Sequence, residues 1–173
     1  NLLGHGDKYG SLYNIVVFND HWGTNRGFAW RKAIENYSKF PLMRKILGYG
    51  PETFGILSFF HDLQESAMFS GELFDNAHNE YLQFLITIGP IATGAYTLFL
   101  ALSVRDMLNC HCSPYIVGMG FAVAGYAVQA LVNINQPTST PILWTFLGMG
   151  IAEYRRSILQ NKEEFIDIDK KEE

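Results

Sequence analysis

The chain has 173 residues, a formal charge of -4, 48% hydrophobic residues and a mean hydropathy of +0.02. A mildly acidic balance with no basic stripe excludes nucleic acid as a partner. The average also hides a segregation: residues 1–81 carry seven Lys/Arg and nine Asp/Glu, whereas residues 82–152 carry only Arg105 and Asp106. A soluble domain interleaves charged and apolar positions, so the pattern is that of an integral membrane protein.

Residues 1–23 mix Gly, Asp, His and aromatics and read as an irregular loop, with Tyr13–Phe18 apolar enough for a short helix or strand. His5 and His21 read as loop histidines. A helix is predicted from Arg26, with Thr24 or Asn25 as N-cap. Trp30, Ala33, Ile34 and Tyr37 form its packed stripe, and Phe40-Pro41 ends it. Arg26 stands out, because a cation in a first turn opposes the helix dipole. Leu47-Gly48-Tyr49-Gly50-Pro51 is a tight turn. Pro51 can open a short helix, and a Gly-rich turn before a helix can cradle phosphate through its amides. His61-Asp62 reads as an incidental pair.

Asp75-Asn76-Ala77-His78-Asn79-Glu80-Tyr81 is polar, and the next 23 residues, Leu82–Val104, carry no charge. At 1.5 Å per residue that run reaches about 35 Å, enough for a hydrocarbon core of roughly 30 Å. It is the first predicted span, with a kink at Gly89-Pro90. Pro114–Ile134 is the second, its small residues (Gly118, Gly120, Gly125 among them) suited to close packing in a bundle. Residues 137–152 form a third span anchored by Trp144, or a re-entrant segment, since the run is short. A disordered tail is expected from 153 to 173. Cys110-His111-Cys112 offers metal-ligand types, but no second ligand pair follows, so two reduced thiols are expected and no metal. With Arg105 in one loop and Arg155-Arg156 after the last span, both fall on the cytoplasmic side, which puts residues 1–81 outside. The chain opens with neither an initiator Met nor a signal-peptide pattern, and it reads as the C-terminal part of a longer protein.

Asp75 is the N-cap candidate for the first span, with His78 in its first turn. There the helix dipole lowers the pKa of an imidazole and attracts anions. A neutral His beside an anion site at the lipid boundary suits chemistry on a lipid-linked phosphate, with Asn79 and Glu80 orienting the ring or binding sugar hydroxyls.

Arg26-x3-Trp30, Pro41-Leu42, Gly48-x-Gly50 with Phe54, Asp75-x-Ala77-His78-Asn79-x-Tyr81-Leu82-Gln83 and Gly89 together resemble the C-terminal region of the O-antigen ligase and polymerase family. The resemblance covers roughly residues 26–152. It implies an all-α, polytopic membrane helix bundle of the GT-C type with a partly helical extracytoplasmic loop, in the bacterial inner membrane. The implied activity takes a glycan from undecaprenyl diphosphate to an acceptor sugar hydroxyl, on a glycan or lipid-linked acceptor, by inversion and without a metal or other cofactor. His78 and Arg26 match the family's catalytic His and essential Arg. A further family Arg comes from an earlier loop that this chain lacks, and Pro90 stands where the family often has a second glycine. Arg26 is expected to bind the diphosphate and His78 to take the acceptor proton. Asp75, Asn79, Glu80, Gly48, Gly50 and Trp30 are expected to shape the substrate site. The alternatives are a polymerase of the same family, a non-catalytic membrane module and an inactive fragment.

Overall fold

A computed structural model describes residues 10, 12–71, 73–110 and 113–172. Among them the chain is all-helical: α1 (Tyr13–Val16), α2 (Trp22–Lys39), α3 (Leu42–Leu47), α4 (Thr53–His61), α5 (Leu63–Ser70), α6 (Glu80–Leu108), α7 (Pro114–Gln129) and α8 (Thr140–Glu172). They fall into two compact units. The first holds residues up to Ala95 with Ala130–Ile134; the second holds Tyr96–Gln129 and Asn135 onward.

In the first unit α2 is regular only from Arg26. Gly23, Thr24 and Asn25 all have positive φ (59°, 63° and 66°), a left-handed run that costs the two non-glycine residues backbone strain. Neither Thr24 nor Asn25 therefore holds the extended backbone of an N-cap. Instead the Phe28 amide donates to the Asp20 carbonyl (3.0 Å). A Cβ on Gly27 would lie 1.9 Å from the Asn19 carbonyl oxygen, so glycine is what lets the 19–20 segment lie on the helix. The buried face is Gly27, Phe28, Ala29, Lys32, Ala33 and Asn36, rotated from the expected Trp30–Ala33–Ile34–Tyr37 stripe: Ala33 is buried and Tyr37 packs on the core, but Ile34 is exposed.

Two polar residues explain that rotation. Lys32 is buried and pairs with Asp62 (3.1 Å), Glu35 (3.2 Å) and Glu65. Asn36 donates to the other Asp62 oxygen (2.6 Å). Burial alone would lower the Lys32 pKa, but Glu65, Asp62 and Glu35 outweigh it and hold the ammonium charged. Asp62, expected as incidental, thus anchors α2 to the α4–α5 corner. The same groups line a cleft of about 490 Å³ with Tyr49 and His61. Phe28 stacks on Phe69 (4.4 Å, 8°).

α6 is the one described helix long and apolar enough to cross a membrane. Only 17% of its apolar window is buried within the protein, unlike the core helix of a soluble domain. It breaks at Gly89 (φ 77°, ψ 171°), immediately before Pro90. Pro90 has no N–H to offer the Ile86 carbonyl, and the turn at Gly89 also frees that of Thr87. The amides of Tyr49 and Gly50 fill both vacancies, each at 2.9 Å. On the far side the Thr93 hydroxyl donates to the Gly89 carbonyl (2.8 Å). The Gly48–Gly50 turn is therefore a backbone clip across the helix break, and Gly89 lies against that turn. Pro51 does not open α4. Glu52 (φ 58°) intervenes, the helix starts at Thr53, and the Thr53 hydroxyl donates to the Gly50 carbonyl (2.6 Å).

In the second unit α6, α7 and α8 enclose Leu100, Met107, Ile116, Val123, Leu143 and Leu147. A Cβ on Gly150 would fall 2.0 Å from the Met107 sulfur, and one on Gly120 3.1 Å from its Cβ. Of the α7 glycines only Gly120 serves close packing, because Gly118 and Gly125 face open space. α7 ends at Gln129, short of the expected Ile134. α8 runs on through the expected disordered tail to Glu172, as no Gly or Pro follows Gly150 to stop it. Cys110 is disulfide-bonded, not the expected reduced thiol. His5, His111 and Cys112 lie outside the described residues.

Candidate functional site

The site is built where α6 begins, and its N-cap is Asn79. The Asn79 side-chain oxygen accepts from the Leu82 amide (3.0 Å), and its carbonyl accepts from Gln83 (2.9 Å). The Glu80 amide donates to the Ala130 carbonyl (2.9 Å). The expected cap, Asp75, lies four residues earlier and accepts from the Asn76 side chain (2.5 Å). His78 therefore precedes the helix and is not part of its first turn.

Two side chains fix the turn that carries His78. Asn76 accepts the His78 amide (2.9 Å), an Asx turn, and Gln83 reaches back to accept the Ala77 amide (3.1 Å). Held from both sides, His78 adopts φ 48°, a left-handed conformation uncommon for a non-glycine residue and concentrated at functional positions. Ala77 beneath it is fully buried. Asn76 and Gln83 are thus positioning residues that sequence reasoning passed over. The signal available was a glutamine one turn inside the helix, one position beyond that of a capping box.

The imidazole is half-buried, and its pKa lies below the usual 6.5. Burial is the larger cause, the positive charge of Arg26 the second, and Asp75 opposes both. Arg26 is thus within electrostatic reach of His78, although 52 positions separate them. Its stem runs back over Gly23, whose ideal Cβ would lie 3.4 Å from the Arg26 Cδ. The pair is an imidazole held toward its neutral form within the field of a guanidinium.

Comparison with known proteins finds no matching family model, curated protein or solved structure.

The remaining candidates divide. Asp75 is exposed and acts on the imidazole electrostatically. Asn79 and Glu80 are buried, 7% and 2% exposed, and the Asn79 oxygen is committed to the cap. Gly48 and Gly50 do not form a phosphate cradle. The Gly48 amide donates to Arg44 (2.8 Å), and those of Tyr49 and Gly50 go to α6. Trp30 packs against Trp22 and Phe18 with ring centroids 5.2 and 5.8 Å away, and its indole nitrogen is buried without a partner. No group of three or more His, Cys, Asp or Glu able to hold a metal occurs among the described residues.

Losing the cap should cost stability before chemistry. Asn79→Ala is expected to destabilise the fold by about 1 kcal/mol, with Asn79→Asp near neutral. Denaturant unfolding of the detergent-solubilised protein measures both, and equal losses would show that the cap is not what Asn79 supplies.

Proposed function

We propose that this chain is the C-terminal part of a polytopic bacterial inner-membrane glycosyltransferase resembling the O-antigen ligases, with residues 1–81 on the extracytoplasmic side. It moves a glycan from undecaprenyl diphosphate to an acceptor sugar hydroxyl. The observation that supports this reading most is the neutral, half-buried His78 under the field of Arg26, immediately before the one helix among the described residues suited to cross a membrane.

In the proposed reaction His78 takes the proton from the acceptor hydroxyl as its oxygen attacks the anomeric carbon. The bond from that carbon to the diphosphate oxygen breaks, and its electron pair leaves with the undecaprenyl diphosphate. Arg26 binds the diphosphate and stabilises the charge that develops there. Asp75 modulates the imidazole, while Asn76 and Gln83 hold its backbone.

Arg26→Ala in the intact protein is expected to lower transfer from a lipid-diphosphate sugar by about 10²–10³-fold. Arg26→Lys should recover only part of it, because an ammonium lacks the bidentate fork. Full activity in Arg26→Ala would remove the guanidinium from the mechanism. Isolating the product separates ligase from polymerase: a ligase glycosylates a distinct acceptor, whereas a polymerase lengthens a lipid-linked chain.

A further inference from the structure

Helix α3 is short and buries none of its residues. Leu42, Met43 and Leu47 are 73%, 65% and 61% exposed, Lys45 is half-buried, and the exposed Arg44 lies over the Tyr49 ring (5.0 Å). Isolated exposed apolar residues are ordinary, but three on a six-residue helix with two cations are a surface seeking an apolar partner with an anionic rim.

The helix is also fixed in place. Its last residues lead into Gly48, where a Cβ would lie 2.3 Å from the Thr87 carbonyl oxygen. A Cβ on Gly89 would lie 2.0 Å from the Ile46 carbonyl oxygen. With the Tyr49 and Gly50 amides bonded to Ile86 and Thr87, α3 is bound by backbone at the level of the break in α6. Beyond that break the uncharged run Pro90–Val104 supplies about 22 Å of helix before Arg105-Asp106, so most of a hydrocarbon core of roughly 30 Å lies past the level of α3. Ile88 and Ile91 of α6, flanking the break, are themselves exposed, continuing the apolar surface of α3.

We infer that α3 is an interfacial helix that lies in the bilayer surface, with Leu42, Met43 and Leu47 among the acyl chains and Arg44 and Lys45 at the lipid phosphates. The break in α6 then lies near the outer edge of the hydrocarbon core, and the half-helix Glu80–Ile88 rises from it toward the headgroups with His78 at its outer end. The clip accounts for a helix break at this depth, since unpaired carbonyls near hydrocarbon cost several kcal/mol each and here both are paired within the protein. The inference rests on α6 lying in the bilayer.

Nitroxide side chains placed one at a time at 42, 43, 44, 47 and 98 through a ketone-bearing residue leave the native cysteines untouched. In vesicles of phosphatidylethanolamine and phosphatidylglycerol, relaxation by oxygen reports lipid and relaxation by a nickel chelate reports water. Oxygen should outweigh nickel at 42, 43 and 47, as at 98, with nickel regaining ground at 44. Nickel dominance at 42, 43 and 47 with oxygen dominance at 98 would overturn the placement of α3 alone. Nickel dominance at 98 as well would overturn the membrane reading of α6 along with it.

Discussion

Replacing His78 with Ala in the intact protein should reduce glycan transfer by about 10²–10⁴-fold, the range a positioned general base supplies, with membrane insertion and thermal unfolding nearly unchanged. The side chain is only half-buried and the loop is held through backbone atoms, by Asn76 and Gln83, so little folding energy goes with the ring. The pH profile carries a sharper expectation. Burial and Arg26 hold the imidazole below its usual 6.5, so the acid limb of kcat/KM should fall below that value, and Arg26→Gln should move it upward. The linked effect on stability has a definite sign. On acidification the unfolded chain takes up the proton first, so the stability present above pH 6.5 declines as pH falls through the native pKa. His78→Gln should remove that slope. An acid limb unmoved by Arg26→Gln would show that the two groups are uncoupled.

The second large effect is expected at the clip. Gly48 and Gly89 have φ of 76° and 77°, and a methyl group on either would meet backbone oxygen at 2.3 or 2.0 Å. Left-handed strain and overpacking each contribute about 1–3 kcal/mol, so Gly48→Ala or Gly89→Ala should destabilise the fold by about 2–6 kcal/mol. Gly50 has φ 102° but open space around its Cβ position, so Gly50→Ala should cost only the strain. Thermal unfolding in detergent would rank them. Equal, small losses at all three positions would mean that α6 does not depend on the clip.

The break itself was legible in the sequence, because Pro90 removes a helical donor wherever it stands. Its partner was not, since the pairing joins residues nearly 40 positions apart and uses only backbone atoms. On α2, Ala33 and Tyr37 pack as the periodicity predicts, but the full buried face is not legible for a related reason. Lys32 and Asn36 count as polar in any periodicity, and only Asp62 and Glu65, some 30 positions on, make their burial affordable. In Asp75-Asn76-Ala77-His78-Asn79 three residues have cap-forming side chains, so composition left the helix start open. The Gln83–Ala77 bond and the Asn79–Leu82 bond decide it. His78 and Arg26 were both picked out from the sequence, the first by its place before a long apolar run and the second by a helix start that a cation ordinarily avoids. Their electrostatic coupling required the fold, which carries α2 and the start of α6 in one unit.

The most direct test supplies the intact protein, in sealed vesicles, with a radiolabelled glycan on undecaprenyl diphosphate and a sugar acceptor. The proposed function requires labelled acceptor and free undecaprenyl diphosphate in equal amounts, and neither above background in the His78→Ala, Arg26→Ala double variant. Undiminished product from that double variant would contradict it.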